Sequence, residues 1–494
     1  MSDYNFLMET RFSPEQFRVI NHLSRLAAGL RLNLFMVGGA VRDLTYGQQI
    51  IRDLDFATEG KPDKLLRLLG AKRGADAGPE FVEVTSQRYD PHKDSAEVTF
   101  SNGVRAEISM ARQENYTKPG KRPDIEPATI FEDLRRRDFS VNAMAVSLHP
   151  NSRGLLLDPT NGAADIERHE LRAMHPRSFS ESPSRIYRLL RLGLRLSFKP
   201  EERTQIWLDN ALENKTWEHL NPQEQGSELC AILREENPGR VLKTYAEKGL
   251  LAGLDRKLAS ARLPYDQFNK IRSVVQTIPG ADAFLLNFNC LVSKLGGSQK
   301  SRLARKIIAD RKAVNIALGL ENAAKKLMRT LGSSKTNLPS QVFASLEGQP
   351  QYLLLFILTH YPQAKIQNRV KSFLFKFPGI RARLPRAELL TLGLEPGPKF
   401  EKICHQLFLA QLDGKIKTHQ QLLKEFRTLA RIKEPEPKPV PKTPVPKAPV
   451  PKGSKPEKPV EAKSPSSAAA KQAKIPQGER HALGRSTRKV KRKG

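Results

Sequence analysis

The sequence predicts an α+β chain: a small α/β head with a mixed sheet, an all-helical neck, body and tail, and a disordered C-terminal extension. Three observations carry this. Strand-like runs, Leu34–Val37, Phe81–Val84 and Glu97–Phe100, lie before about Pro150 and are bounded by Gly, Asp and Asn. After about Pro176 apolar residues recur at helical spacing, as at Ile186, Leu189, Leu190 and Leu194. From Lys433 onward the composition turns to Pro and Lys.

Taken in order, residues 1–30 read as a helical lead-in and 31–150 as the head. Within the head, Pro62–Leu69 has a helical pattern between the strands. Residues 151–260 form the neck and 261–432 the helical body and tail. Residues 433–494 carry 17 basic and 5 acidic residues, 12 of the chain's 35 prolines and no Phe, Tyr or Trp. Such a segment buries too little apolar surface to fold. Its Pro-Val-Pro-Lys repeats, at Pro439, Pro444 and Pro449, favour an extended polyproline stalk. It ends in a cationic cluster, Arg485–Lys493, in which Lys489 and Arg492 are the candidate RNA contacts; the bland alternative is a solubilising tail.

The whole chain has 494 residues, 83 Lys+Arg against 52 Asp+Glu, and a formal charge of +31. That points to a polyanionic partner: nucleic acid first, an anionic membrane surface second. Three distant cysteines, Cys230, Cys290 and Cys404, exclude a disulfide scaffold and a CxxC metal or redox motif, and fit a reducing cytoplasm. The N-terminal MSDYNFLMETRF has no basic region followed by an apolar one, so no signal peptide is expected. The longest apolar run, Leu353–Leu358, is far short of a membrane span.

Chemistry concentrates in four places. In Leu34-Phe-Met-Val-Gly-Gly-Ala-Val-Arg-Asp43 a strand runs through two glycines into a helix. That arrangement lets backbone N–H groups approach a phosphate, though two glycines alone also make a tight turn. Next, Arg52-Asp-Leu-Asp-Phe56 sets Asp53 and Asp55 two apart on a strand, facing one spot. Paired hard oxygen ligands there suit Mg²⁺, although a lone Asp-x-Asp is usually a loop. Arg105-Ala-Glu-Ile-Ser-Met-Ala-Arg112 reads as a further strand offering Glu107 as a third carboxylate. Finally Arg135-Arg-Arg-Asp-Phe-Ser-Val-Asn-Ala-Met-Ala145 puts three arginines before an amphipathic segment, better suited to a triphosphate than to a core.

These four motifs, in this order, resemble the head of the class II tRNA nucleotidyltransferases, a family that includes the bacterial poly(A) polymerases. The resemblance continues through Leu157-Asp-Pro-Thr-Asn-Gly162 and Leu171-Arg172, then the neck-helix motif Glu181-Ser-Pro-Ser-Arg185 and on to Arg191. Near the end, Ala387–Pro398 and Leu412–Lys417 resemble the part of CCA-adding enzymes that grips tRNA, so Gly393, Gly397 and Lys399 are candidate RNA contacts. The stretch from Leu263 to Phe377 resembles the family only loosely and reads as helical scaffold.

The resemblance implies a nucleotidyltransferase that adds C and/or A from CTP and ATP to the 3′ end of RNA, most of all tRNA. Asp53 and Asp55 would hold two Mg²⁺ ions, with Glu107 setting their geometry, for an in-line displacement by the RNA 3′-hydroxyl. Gly38, Gly39 and Arg42 would cradle the triphosphate. Arg112, Arg137, Asp138 and Asn142 would contact phosphate and ribose. On the neck helix the family presents Asp and Arg to the base edge; here the Asp position is Ser182 and the Arg is Arg185. A hydroxyl is neutral and both donates and accepts, so it could still meet an exocyclic amine, with less selectivity. Arg188 joins Arg185 as a pocket residue, while Arg191 and Arg195 stay open between pocket and solvated face.

Three rivals follow. A poly(A) polymerase would carry a Gly-basic-basic-Phe run, and Leu69-Gly-Ala-Lys-Arg-Gly74 lacks the aromatic residue. A partial enzyme would add only CC or only A. An RNA-binding paralogue without efficient catalysis would have no reason to keep Asp53, Asp55 and Glu107. No His-Asp dipeptide occurs, so no appended phosphohydrolase is expected.

Overall fold

In the computed structural model the described residues are 3–48, 51, 54–71, 80–118 and 122–432. Contacts gather residues Met1–Lys433 into one compact unit. The repeats and cationic cluster of 433–494 lie outside the described residues.

Two helices lead in. Helix α1 (Tyr4–Arg11) starts at Asp3, whose carboxylate accepts from the N–H of Asn5 and Phe6. Helix α2 (Pro14–Gly29) starts with a reciprocal Ser13/Gln16 capping box and Pro14 in its first turn, two features that favour helix initiation. Both bury apolar stripes, Met8, Val19, Ile20, Leu23 and Ala27, in the main core.

The head sheet follows: β1 (Leu34–Val37), helix α3 (Gly39–Tyr46), β2 (Leu54–Thr58), helix α4 (Asp63–Leu69), β3 (Val84–Asp90), β4 (Ser95–Phe100) and β5 (Arg105–Met110). A ribbon of β6 (Arg112–Asn115) and β7 (Asp124–Pro127) comes next. Helix α5 (Ile130–Arg135), β8 (Ala145–Ser147) and β9 (Leu156–Leu157) complete the sheet region. The seven-stranded sheet runs β3-β4-β5-β2-β1-β8-β9. The β2–β5 pair is parallel and the other pairs are antiparallel, so the sheet is mixed as expected. Alternation divides its faces. Met36, Leu54, Phe56, Val98 and Ile108 enter the main core. On the opposite face Phe35, Val37, Ala57 and Ala145 are covered by Ile130 and Leu134 of α5.

Two strand expectations need correction. The strand expected from Phe81 begins only at Val84; Phe81 instead sets its ring edge-on to buried His22. The strand expected over Arg105–Arg112 breaks at Ala111. The Ala111 N–H turns to Thr58 O (2.8 Å) and the Arg112 N–H to the Asp133 carboxylate (3.2 Å). The chain then leaves the sheet for the β6–β7 ribbon.

Helix α6 (Gly162–Glu167) begins where Asp158 accepts from the N–H groups of Gly162 and Ala163. A Cβ on Gly162 would stand 2.2 Å from Ser140 O, so only glycine fits against that turn. Then come α7 (Ser178–Glu181), the neck helix α8 (Ser184–Leu196), α9 (Glu202–Glu213), α10 (Pro222–Leu233) and α11 (Pro238–Glu247). Beyond Pro176 the strand signal survives only as Lys199–Pro200, paired in parallel with Glu170–Leu171. The chain stays helical from there to Ala430. Among the described residues no helix is long and apolar enough to cross a membrane.

Candidate active site

The sheet sets up the site through its register. Val37, Asp55, Glu107 and Glu97 are successive partners across β1, β2, β5 and β4, so they share one face. Helix α5 covers the Val37 end of that row and leaves Asp55 and Glu107 at a cavity of about 500 Å³. Asp53, expected beside Asp55, lies outside the described residues. Among the described residues no group of three or more His, Cys, Asp or Glu gathers as a metal site, and Asp55 with Glu107 supplies two carboxylates of the expected three.

The glycine turn opens on the same cavity, lined by Gly38 and Gly39. Gly38 has φ +68°, a left-handed conformation that disfavours other residues. A Cβ there would also stand 3.0 Å from Arg137 Nη1 and 3.5 Å from Asp55 Oδ2. The arginine and the carboxylate therefore flank the turn closely, and α3 starts directly behind it. Arg42 departs from expectation. It is buried, 3% exposed, and its guanidinium donates to Asp43 (2.8 Å) and Asn142 Oδ1 (2.6 Å). Those bonds brace the turn, and Arg42 is not among the residues that line the cavity.

The three-arginine run divides its labour. Arg137 donates to Asp133 Oδ2 through Nε (3.2 Å) and Nη2 (2.9 Å), and borders the cavity. Arg136 donates to Asp133, to Glu114 Oε1 (2.8 Å) and to Arg112 O (2.8 Å). Asp133 is fully buried. Burial raises its carboxyl pKa, but Arg137 and Arg136 outweigh burial and hold it below the usual range. Sequence reasoning missed Asp133, although its position three and four residues before two arginines on a helix was a readable signal. Arg112 lines the cavity but is itself buried, donating to Glu114 (3.1 Å) and Lys93 O (3.2 Å).

Asp138 joins head to neck. Its Oδ1 accepts from Asn142 Nδ2 (3.0 Å) and the Phe139 N–H (2.8 Å); its Oδ2 accepts from Arg188 Nη1 (2.7 Å). Burial pushes this carboxyl up, and Arg188, Asn142 and Arg185 overcome it, leaving a pKa of about 2. The result is a hydrogen-bonded chain, Arg188–Asp138–Asn142–Arg42–Asp43, from the neck helix to α3.

At the start of the neck, Ser182 and Ser184 line the cavity with their hydroxyls 2.9 Å apart. Arg185 is buried and donates to Ser178 Oγ (2.9 Å) and Arg136 O (2.9 Å). Arg188 stands on the open side, 47% exposed. Arg191 is bound by Glu228 (2.9 Å) and Glu235 (3.1 Å), and Arg195 by Glu235 (2.9 Å). Opposite, α10 contributes Asn221, Glu224 and Glu228 to the lining, none of them foreseen from sequence.

The cavity thus brings together Gly38, Gly39, Asp55, Glu107, Arg112, Arg137, Asp138, Asn142, Ser182, Arg185 and Arg188. The candidate RNA contacts are elsewhere. Gly393, with φ +101°, follows helix Arg386–Thr391, and Gly397 and exposed Lys399 open helix Pro398–Leu412. Lys489 and Arg492 lie outside the described residues.

Residues 34–172 match the family model described as the poly A polymerase head domain. The matched span contains all four head motifs, and the resemblance read from them holds. A similar protein is the A-adding tRNA nucleotidyltransferase of Geobacter sulfurreducens, 24% identical over 86% of this chain and 48% of that protein. That of Halalkalibacterium halodurans is 28% identical over 87% of this chain and 96% of the relative. The CC-adding tRNA nucleotidyltransferase of Deinococcus radiodurans is 35% identical over 49% of this chain and 62% of that protein. The matches therefore span about half of the first relative, nearly all of the second and under two thirds of the third.

Proposed function

We propose that this chain, whose head is of the poly A polymerase head family, is a template-independent nucleotidyltransferase that adds C and/or A from CTP and ATP to the 3′ end of tRNA. The observation that carries this reading is the pairing of Asp55 with Glu107 beside the Gly38 turn, in one cavity with Arg137 and Asp138. Two of the relatives matched over most of this chain are named A-adding, so the terminal A is the first addition to test.

Asp55 and Glu107 are hard oxygen donors on neighbouring strands and fit a divalent cation, which we take to be Mg²⁺ held with Asp53. When bound, it would stabilise the charge of the attacking oxygen and the leaving pyrophosphate. The rest falls to the chain. The Gly38 turn and the N-terminus of α3 receive the triphosphate, with Arg137 alongside to offset its charge. Asp138 and Asn142, fixed by Arg188 and Arg42, orient the ribose. Ser182 and Arg185 face the base. The neck helix and α10 close the far wall and limit water at the reacting phosphate.

The test is purified protein with tRNA lacking zero to three terminal nucleotides, each NTP supplied alone with Mg²⁺, and products sized on a gel. We expect extension of the shortened tRNAs with CTP and/or ATP. Asp55→Ala should lower the rate by at least about 1,000-fold, the scale of losing transition-state charge stabilisation, while tRNA still binds. Equal turnover by wild type and variant would overturn the assignment.

A further inference from the structure

The cavity has room for the nucleotide, and the RNA that supplies the attacking hydroxyl has to arrive at its rim. An in-line displacement fixes the side of arrival, because the attacking and leaving oxygens stand on opposite sides of the reacting phosphorus. With the triphosphate at the Gly38 turn, the pyrophosphate leaves on the β1 side. Asp55 on β2 and Glu107 on β5 come next across the sheet. The attacking oxygen therefore comes from the β5 side.

Strand β5 carries a cation there. Arg105 precedes Glu107 by two residues, so it projects from the same face, about 6–7 Å along the strand. Strand β1 is antiparallel to β2 and β5 is parallel to it. The steps from Val37 to Gly38 and from Glu107 to Arg105 therefore lead toward the same end of the sheet. Gly38 and Arg105 flank β2 at that end, two strand spacings or about 10 Å apart. Arg105 is exposed and stands outside the cavity lining. The arginines around the cavity, Arg112, Arg136 and Arg137, are tied to carboxylates, whereas among the described residues no carboxylate forms an ion pair with Arg105. Its cross-strand partner on β4 is the neutral Thr99. Exposed Arg88 on β3 differs in this respect, since it faces Glu97, which offsets its charge.

Resting on the reading of the cavity as a nucleotidyl-transfer site, we propose that Arg105 binds the last internucleotide phosphate of the RNA. A guanidinium gives a phosphate two parallel hydrogen bonds, which fix position as well as offset charge. That phosphate is one sugar away from the attacking 3′-hydroxyl, so holding it aims the hydroxyl at the nucleotide's α-phosphorus. The contact ignores the terminal base and serves each round of addition alike.

The test pairs a variant with a neutralised substrate. It measures kcat/KM for wild type, Arg105→Ala and Arg105→Lys on shortened tRNA whose last internucleotide linkage is either the phosphodiester or an uncharged methylphosphonate. The ratio between the two substrates is internal to one protein, so a change in stability alone does not move it. We expect wild type to lose about tenfold or more on the methylphosphonate, the scale of a hydrogen bond to a charged group. Arg105→Ala, already slowed by a similar factor on the phosphodiester, should lose little further, because the two changes remove the same contact. Arg105→Lys keeps the charge without the fork and should fall between them on the phosphodiester. Binding of CTP and ATP without RNA should be the same in wild type and Arg105→Ala. Equal substrate ratios in those two proteins, or weaker nucleotide binding by the variant, would overturn the proposal while leaving nucleotidyl transfer intact. A wild type that extends none of the phosphodiester tRNAs would overturn the underlying reading, and the proposal with it.

Discussion

Asp138 concentrates four interactions on one carboxylate and is held near pKa 2 against about 3.8 for an ordinary aspartate. A folded-state pKa below the unfolded one contributes stability above the unfolded value, and this is lost as pH falls toward the folded one. At neutral pH the difference is worth about 2 kcal/mol. We therefore expect Asp138→Asn to lower unfolding free energy by about that amount at pH 7. The gap between variant and wild type should close between about pH 4 and pH 2, followed by urea denaturation. Much of this residue network was legible: Gly38, Asp55 and Glu107 sit in compact motifs whose spacing fixes their direction, and Asp138 and Ser182 stand where the family resemblance implies pocket residues. What sequence misjudged were the partners. Arg42 reads as a ligand for phosphate, but Asn142, a hundred residues later, ties it into the wall behind the cavity lining. Glu114 and Glu228 were invisible because they act across the fold on residues far away in the chain.

The neck helix is the element where two roles meet. Its arginines recur every three or four residues, and that face read equally as pocket or as solvated surface. The structure divides it along its length. Thirteen residues rise about 20 Å. The first turn holds Arg185 and Arg188 toward the head, while Arg191 and Arg195 bolt onto α10 through Glu228 and Glu235. Arg191 and Glu228 are both buried, and Tyr245 adds a hydroxyl to Glu228 at 2.9 Å. Removing one member of such a pair strands the other charge. Glu228→Ala should therefore cost about 3–5 kcal/mol in chemical denaturation. Glu228→Gln, which keeps an oxygen for Tyr245, should cost less. The break at Ala111 has a similar origin. Residues 105–112 alternate well enough for one strand, but the Arg112 N–H finds buried Asp133, a partner that strand periodicity does not reveal.

For the whole molecule, the charge of +31 named a class of partner without naming the chemistry. Part of it is internal: Arg136, Arg137, Arg191 and Arg195 are engaged with carboxylates and contribute little field outside. The net +12 of residues 433–494 has no such sink in its own composition. We expect deletion of 433–494 to weaken tRNA binding and to flatten the slope of log K against log salt by several units. At saturating tRNA the transfer rate should be unchanged. Filter binding between 50 and 200 mM salt decides it; an unchanged slope would make the segment idle. The division into an α/β head and a helical remainder was legible from periodicity, since the two periods occupy different stretches of chain. The course of the helices after Leu263 was not, because amphipathic stripes say that a helix is covered and not by what.

The bonded chain from Arg188 through Asp138, Asn142 and Arg42 to Asp43 spans the two ends of the pocket. Its inner members, Asp138, Asn142 and Arg42, are buried and would be left unmatched if a neighbour moved away. The Gly38 turn and the start of the neck helix are consequently expected to share one opening event. On that ground the pocket should loosen as a single cooperative unit, and a nucleotide gripping either end would steady the other without touching it.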